Sequence, residues 1–245
     1  MKISPAAAKE KIIVALDVPT RAEAMALVEQ LHAEVGAFKI GLQLYNAEGP
    51  DIIHDIQAAG GKVFVDLKFH DIPNTVAQTT KVITGRGAFM FTVHAGGGAK
   101  MLEATAAAKS ETAAEKGIAD PIALAVTVLT SISQEEFAQE IGISRKIEDQ
   151  VVHWAKMAQS AGMDGVVASP KEIKAIREAC GNDLVIVTPG IRPRWAAAND
   201  QSRIMTPAEA VAAGANYLVI GRPITKHENP VEAARLIVQE IVDAD

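Results

Sequence analysis

KVFVDLKF, residues 62–69, is a short and largely apolar run with charged residues in its downstream half, and it is one of eight short apolar runs in the chain. The other seven are IIVALDV (12–18), AFKIGLQL (37–44), MFTVHAG (90–96), PIALAVTVL (121–129), GVVAS (165–169), LVIVTPG (184–190) and YLVIGRPI (217–224). The segments between them, such as 20–36 and 150–163, space their apolar residues as helices do. This alternation predicts an α/β fold of βα units with buried parallel strands.

Two α/β architectures are compatible with the alternation: a closed (β/α)8 TIM barrel and a doubly wound open sheet. The count of eight favours the barrel. The polar or glycine residues at the downstream end of nearly every run favour it too, because barrels assemble their active sites there. A chain of 245 residues with 49% hydrophobic content matches one such barrel. We therefore predict a single catalytic barrel domain over residues 1–245.

Composition argues against several classes of protein. The formal net charge is −6, and no cluster of Lys and Arg alternates with aromatic residues, so we expect no nucleic-acid binding. Cys180 is the only cysteine, which excludes an intrachain disulfide and a multi-thiolate metal site and is typical of a reducing compartment. No run of about 18 apolar residues is present and the N-terminal residues lack a signal-peptide core, so we expect a cytoplasmic protein with no membrane span.

The densest group of chemically active residue types is DLKFHDIPNT, which begins at Asp66. Asp66 and Lys68 are two apart, so an extended strand would turn both side chains toward the same side, which in a barrel can be the inside. The strand then breaks, which places Asp71 and Thr75 in a loop or a first helical turn nearby.

An ordinary ion pair between Asp66 and Lys68 is the simplest structural explanation, with Asp71 capping the next helix. It does not account for Lys39, at a matching height on the second strand, or for Asp17, near the end of the first. Four charged groups on three adjacent strands are costly, because each buried ion loses much of its hydration before it is paired. The convergence favours a functional site at the barrel mouth.

The ends of strands seven and eight predict an anion site. Gly221 would let a ligand approach the backbone, and Arg222 would supply a permanent planar cation where barrels commonly bind phosphate. A plain turn is the alternative for this glycine and arginine.

The loop IRPRWAAANDQSRIM, residues 191–205, is long for a βα connection, which predicts a lid that grips an anion. Its polar candidates are Arg192, Arg194, Gln201 and Arg203. A surface loop without a ligand is the alternative.

Hydroxyls and imidazoles complete the candidates. Thr130 and Ser131, at the end of strand five, could bond a polar ring edge, although Ser131 or Ser133 could instead cap the following helix. His70 is interpreted as shaping its loop. The remaining histidines lack metal-ligand spacing, so we expect no metal site and interpret them as packing or surface residues: His32, His54, His94, His153 and His227.

Together these motifs resemble the bacterial orotidine 5'-phosphate decarboxylases over nearly the whole chain. The matching stretches are ALDV, FKIGLQLY, DLKFHDIPNT, TVHA, TVLTS, TPGIRP, DQSRIMTP and VIGRPIT. The D-x-K-x-x-D element followed by IPNT is highly specific, whereas GRP and TPG alone are weak. The resemblance implies a barrel enzyme that converts orotidine 5'-monophosphate to uridine 5'-monophosphate without metal or cofactor, as a homodimer with shared active sites.

The resemblance also implies a role for each candidate residue. Lys68 is implied to be the catalytic proton donor beside Asp66, in a chain of alternating charges that includes Lys39 and Asp71. Asp71 and Thr75 are implied to act in the neighbouring subunit's site. The implied substrate contacts are Asp17 and Lys39 at the ribose, Thr130 and Ser131 at the pyrimidine, and Arg192, Gln201, Gly221 and Arg222 at the phosphate. Arg194, Trp195 and Arg203 receive no role.

Two other functions are compatible with parts of the pattern. A sugar-phosphate aldolase of the same barrel superfamily would also carry a D-x-K-x-x-D element, but with magnesium. A non-catalytic phosphate-binding protein would be expected to lack one of the charged residues, yet all of them are present: Asp17, Lys39, Asp66, Lys68 and Asp71.

Overall fold

Eight parallel strands form a closed barrel in the computed structural model, which describes residues 3–196 and 205–244. Each strand is hydrogen-bonded to the next, and the last strand pairs with the first through Ile13 and Val219. The predicted (β/α)8 TIM barrel is confirmed, and the open sheet is excluded.

Every strand lies within the run that predicted it. The strands are β1 Ile12–Ala15, β2 Ala37–Ile40, β3 Val63–Phe69, β4 Met90–His94, β5 Ile122–Val126, β6 Gly165–Val167, β7 Val185–Thr188 and β8 Tyr217–Ile220. The helices are α1 Pro5–Glu10, α2 Arg21–Leu31, α3 Leu42–Glu48, α4 Ile52–Ala58, α5 Pro73–Gly85, α6 Ala99–Lys116, α7 Gln134–Gln139, α8 Ile147–Ser160, α9 Ile173–Cys180, α10 Pro207–Ala213, α11 Arg222–Thr225 and α12 Pro230–Val242. Short 3-10 turns cover Ala95–Gly97 and Pro170–Glu172.

Two apolar runs continue past their strands into helices. The run 37–44 leaves β2 at Gly41, and Leu42 and Leu44 belong to α3. The run 217–224 likewise leaves β8 at Gly221, after which α11 begins. Both glycines precede a helix directly, and an apolar run alone does not distinguish the end of a strand from the start of a buried helix.

The core has two layers. Residues that point into the barrel pack against one another and close its lower half: Ile13, Ala37, Phe64, Met90, Leu124 and Val187. Residues of the opposite parity pack between the strands and the surrounding helices, as Phe38 and Phe91 do. This alternation leaves the inward positions at the carboxyl ends of the strands free for polar side chains.

A structural ion network lies at the amino ends of the strands. Lys109 is only 4% exposed, and its Nζ lies 2.8 Å from Asp120 Oδ2 and 3.1 Å from Asp164 Oδ2. Asp164 also accepts the backbone N–H of Ala123 at 2.7 Å, so the network secures the entry to β5. Within the described ranges, no helix is long and apolar enough to cross a membrane.

Candidate active site

A cavity of about 240 Å³ opens at the carboxyl ends of the strands. One wall is charged, with Lys39, Asp66 and Lys68, and the floor is the ring of Phe64. The opposite wall is largely apolar and is formed by Val126, Val128, Leu129, Val167, Ala168, Pro189 and Val219. Such a cavity suits a flat, partly polar ring that reacts beside the charged wall.

The charged wall is a chain of alternating charges. Lys68 Nζ lies 2.9 Å from Asp66 Oδ1, and Lys39 Nζ lies 3.8 Å from Asp66 Oδ2. Lys39 Nζ also lies 3.2 Å from Asp17 Oδ1. The structure therefore brings together the four charges that the sequence placed on three adjacent strands.

Lys68 reaches the cavity by a different backbone path from the one predicted. Asp66 follows the inward parity of Phe64 on an extended strand, but Lys68 has a φ of 53°, in the left-handed region. Among the residues that the structure describes, Lys68 is the only non-glycine residue with a positive φ. The prediction that both side chains face inward agrees with the structure, whereas the extended geometry assumed for Lys68 is wrong because β3 is irregular there.

A second cavity, of about 190 Å³, adjoins the first and shares Lys39, Pro189 and Val219 with it. Its lining is mainly polar and is completed by Ala15, Asp17, Gly190, Arg192, Gly221, Arg222, Thr225 and Lys226. The cations in this lining make it a suitable anion site. Thr225 and Lys226 were not among the sequence candidates. Thr225 ends the short helix that Arg222 begins and Lys226 follows it directly, so their closeness to Arg222 in the sequence was a usable signal.

Thr130 and Ser131 both line the first cavity, as predicted for residues at the end of β5. The alternative cap is provided by Ser133, whose hydroxyl accepts the backbone N–H of Glu136 at 3.2 Å. Ser131 is therefore not the residue that caps α7.

Asp71 and Thr75 lie outside the cavity of their own chain. Both are exposed at the start of α5, and Asp71 Oδ1 accepts the backbone N–H of Ile72 at 2.7 Å. In the described part of the chain, Asp71 makes no ion pair with Lys68. The resemblance implied a charge chain of Lys39, Asp66, Lys68 and Asp71. Asp71 is thus absent from the site of the single subunit.

The two ends of the long loop after β7, residues 191–205, are hydrogen-bonded to each other. Arg192 donates its backbone N–H to Met205 O at 3.0 Å, and the Arg192 side chain is buried against the second cavity. At its start, Arg194 donates its backbone N–H to Glu240 at 3.4 Å, and the Trp195 ring packs edge-on against His227. Gln201 and Arg203, two candidates for the lid, lie outside the described residues.

The family model described as Orotidine 5'-phosphate decarboxylase / HUMPS family matches residues 10–237. This chain belongs to that family. It is 55% identical over 235 residues to an orotidine 5'-phosphate decarboxylase of Syntrophomonas wolfei subsp. wolfei, a match that covers 96% of this chain and 98% of that one. It is also 55% identical over 234 residues to one of Moorella thermoacetica, with 96% and 93% covered.

A crystal structure of an orotidine 5'-phosphate decarboxylase from Lactobacillus acidophilus has a similar fold. Its TM-score is 0.84 at 36% identity, and the match covers 94% of this chain and 98% of that one. In this member of the orotidine 5'-phosphate decarboxylase / HUMPS family, no group of three or more His, Cys, Asp or Glu side chains within the described residues is arranged to hold a metal ion.

Next to the charged wall, this family member carries a stack of two imidazoles. The ring of His70 lies parallel to that of His94, with centroids 5.0 Å apart, and His94 meets Trp154 edge-on. His94 Nδ1 accepts the backbone N–H of Gly96 at 2.9 Å, so the neutral ring carries its proton on Nε2. Burial, followed by the nearby positive groups of His70 and Lys68, lowers the pKa of His94.

The His94→Asn variant is expected to lose less stability in mild acid than the parent. Because folding lowers the pKa of His94, the unfolded chain takes up a proton near its ordinary value of about 6.5 before the folded protein does. Stability linked to this group is therefore present above that pH and is lost as the pH falls below it. Asparagine keeps an acceptor for Gly96 but does not titrate. Urea unfolding at pH 7 and pH 5 should show a fall smaller by about 0.5 kcal/mol, a low value because the ring is partly exposed.

The exposed His153→Asn variant is the control for the loss of a surface imidazole. An identical fall for the parent and the His94→Asn variant would contradict the assignment of the acid-linked loss to His94.

Proposed function

We propose that this chain decarboxylates orotidine 5'-monophosphate to uridine 5'-monophosphate in pyrimidine biosynthesis, without a metal or organic cofactor. The observation that carries the proposal is the Lys68 ammonium, held 2.9 Å from Asp66 on the charged wall of a cavity sized for a pyrimidine ring. The 55% identity to enzymes named orotidine 5'-phosphate decarboxylase supports it. Orotidine 5'-phosphate decarboxylases are carboxy-lyases, and the similarity to them assigns the chain to that enzyme class.

The proposed reaction breaks the bond between C6 of the pyrimidine and its carboxyl carbon. Carbon dioxide leaves without the electron pair, which stays on C6 as a carbanion. The Lys68 ammonium stabilises that charge and then transfers a proton to C6, and solvent returns a proton to the Lys68 amine. Asp66 keeps the ammonium directed into the cavity.

Repulsion between Asp66 and the substrate carboxylate cannot provide the whole acceleration. Two like charges about 4 Å apart repel by about 4 kcal/mol at an effective dielectric constant of about 20. Enzymes lower barriers by roughly 8–23 kcal/mol. The larger share must come from preorganised charge at Lys68 and from binding energy collected far from C6.

The second cavity is where that remote binding is proposed to occur. Asp17 and Lys39, at the junction of the two cavities, bind the ribose hydroxyls, and Thr130 and Ser131 bind the pyrimidine edge. The phosphate is assigned to Arg192, Gln201, Gly221 and Arg222. Closure of the loop that contains Gln201 would exclude water from the charges around C6.

We further propose that the enzyme is a cytoplasmic homodimer in which each site is completed by the partner subunit. Asp71 and Thr75 are exposed and do not line the first cavity of their own subunit, and Ile72 between them is 66% exposed. A subunit interface over Asp71 and Thr75 would also bury this apolar side chain. Within one subunit the charge chain ends at Lys68, and the partner's Asp71 would then complete it.

Mixing two inactive variants tests the shared site. We expect Lys68→Ala and Asp71→Ala each to be nearly inactive, and their mixed dimer to contain one site with both residues intact. Random reassociation of equal amounts makes half of the dimers mixed, so about a quarter of the parental kcat should return. The measurement is turnover after joint refolding, with mixed dimers verified by tagged purification.

A mixture of Lys68→Ala and Lys68→Met subunits is the control and should stay inactive. The shared site would be disproved by verified mixed dimers that regain nothing, or by an Asp71→Ala variant as active as the parent.

Ultraviolet absorbance of orotidine 5'-monophosphate in the presence of purified, EDTA-treated protein tests the function. The expected result is conversion to uridine 5'-monophosphate at a rate that EDTA does not change. A reaction that requires added magnesium and a sugar phosphate would indicate the aldolase instead. Nucleotide binding without turnover would indicate a non-catalytic protein.

A further inference from the structure

The pairing of β3 with β4 is interrupted beside the charged wall. Val65 pairs with Phe91 and Phe69 pairs with Val93, so β3 advances four residues where β4 advances two. Thr92 is the β4 residue opposite this bulge. A bulge leaves backbone groups without their ladder partners, and these groups need another partner when they are buried.

The Thr92 hydroxyl supplies that partner. Its oxygen accepts the backbone N–H of Lys68 at 2.9 Å and donates its proton to Asp66 Oδ1 at 3.0 Å. The same Asp66 oxygen binds Lys68 Nζ at 2.9 Å. Because the hydroxyl oxygen accepts from the Lys68 N–H, the hydroxyl proton must point toward Asp66. Thr92, Asp66 and Lys68 therefore form a closed ring of hydrogen bonds.

The ring explains how Lys68 keeps a backbone conformation that side chains disfavour. Its φ of 53° is unfavourable for a residue with a long side chain, and such conformations persist only where the surroundings hold them. Thr92 is fully buried and lies on a regular strand, so it provides a fixed anchor. The hydroxyl therefore sets both the backbone from which the Lys68 side chain projects and the carboxylate to which its ammonium binds.

We propose that Thr92 is a positioning residue for the proton donor: it holds Lys68 and Asp66 in one geometry, and its loss lowers the rate of the chemical step without weakening substrate binding. This inference rests on the proposed function for the identity of the reaction. It adds a residue that does not line the cavity and that was not among the candidate site residues, although it is the first residue of the TVHA stretch.

The Thr92→Val variant tests the proposal, because valine keeps the shape of threonine and removes the hydroxyl. We expect kcat to fall about 10- to 100-fold, the effect of losing a hydrogen bond to a charged group, while KM changes less than about threefold. Thr92→Ser restores the hydroxyl and should recover most of kcat. Thr127→Val is the matched control: Thr127 is also fully buried and donates to Val167 O at 2.8 Å, but has no bond to Lys68 or Asp66.

Amide hydrogen exchange at Lys68, followed by NMR, is a second measurement that does not depend on any substrate. The Lys68 N–H should exchange faster in Thr92→Val, and parental protection should return in Thr92→Ser. The parent protein could show the expected protection of the Lys68 N–H and still fail to decarboxylate orotidine 5'-monophosphate. In that case the proposed function is wrong, whereas the hydrogen-bonded ring is supported.

The positioning role is overturned if Thr92→Val keeps the parental kcat. It is also overturned if Thr92→Ser is as impaired as Thr92→Val, or if Thr127→Val loses as much kcat, which would make the effect a general loosening of the barrel.

Discussion

Replacing Lys68 with alanine is expected to lower kcat by about 10⁴-fold or more, because in the proposed mechanism one side chain provides both the charge that stabilises the carbanion and the proton that quenches it. No other ammonium within the described residues is bonded to Asp66 as closely, since Lys39 Nζ lies 3.8 Å from that carboxylate and also faces Asp17. Binding of uridine 5'-monophosphate should be partly retained, since the ribose and phosphate contacts are separate. Single-turnover kinetics and calorimetric titration of the product measure the two effects.

Lys62→Ala is the matched control for the loss of a lysine beside the same strand. Lys62 precedes β3 at its opposite end and pairs with Glu10 at 2.8 Å, far from the cavity. It should retain parental kcat. A Lys68→Ala enzyme that turned over at the parental rate would show that the proton comes from another group.

Replacing Arg222 with alanine is expected to lower kcat/KM by about 10²- to 10³-fold, the effect of leaving a bound phosphate without its cationic partner. Arg222 lines the second cavity, and the adjoining first cavity is the proposed site of the reacting ring. The loss should nearly vanish when the substrate is orotidine, because that substrate offers no phosphate for Arg222 to bind. Steady-state kinetics with both substrates measure the difference.

Arg235→Ala is the control for removing an arginine. Arg235 lies on α12 and pairs with Glu34 at 2.6 Å on the surface, so its loss should leave kcat/KM unchanged. Circular dichroism should show an intact fold for both variants. An equal loss with orotidine and its phosphate ester would remove the phosphate assignment.

The fold was predictable because the same sequence pattern, an apolar run followed by a helical segment, occurs repeatedly along the chain. Each strand is a buried parallel strand, which produces a continuous apolar run, and eight such runs separated by helices have few alternative architectures. The ends of the runs were less predictable. Leu44 is fully buried in a helix and therefore has the composition of a strand residue, so the run alone could not locate the boundary at Gly41.

The charged wall was predictable for a related reason. Asp17, Lys39 and Asp66 follow the inward parity of regular strands, and parity can be read from spacing. Lys68 also faces the cavity, as expected, but a bulge in β3 and a left-handed backbone bring it there. Residue spacing does not reveal either feature. Thr92 was not selected as a site residue by the same method, although it opens the TVHA stretch, because a threonine within a strand is ordinarily a packing residue. Its proposed role depends on a partner 24 residues away in the sequence.

The Lys39 ammonium interacts with two carboxylates at the junction of the first and second cavities. Lys39 Nζ lies between Asp17 Oδ1 at 3.2 Å and Asp66 Oδ2 at 3.8 Å. In the proposed complex, a sugar hydroxyl that binds Asp17 changes how strongly Lys39 is attracted to Asp66, and through Asp66 it changes the electrostatic environment of Lys68. The proposed contacts would thereby couple recognition of the sugar to the energy of the bond-breaking step through a single nitrogen, and we expect a nucleotide altered only at that hydroxyl to react more slowly even when every site is saturated.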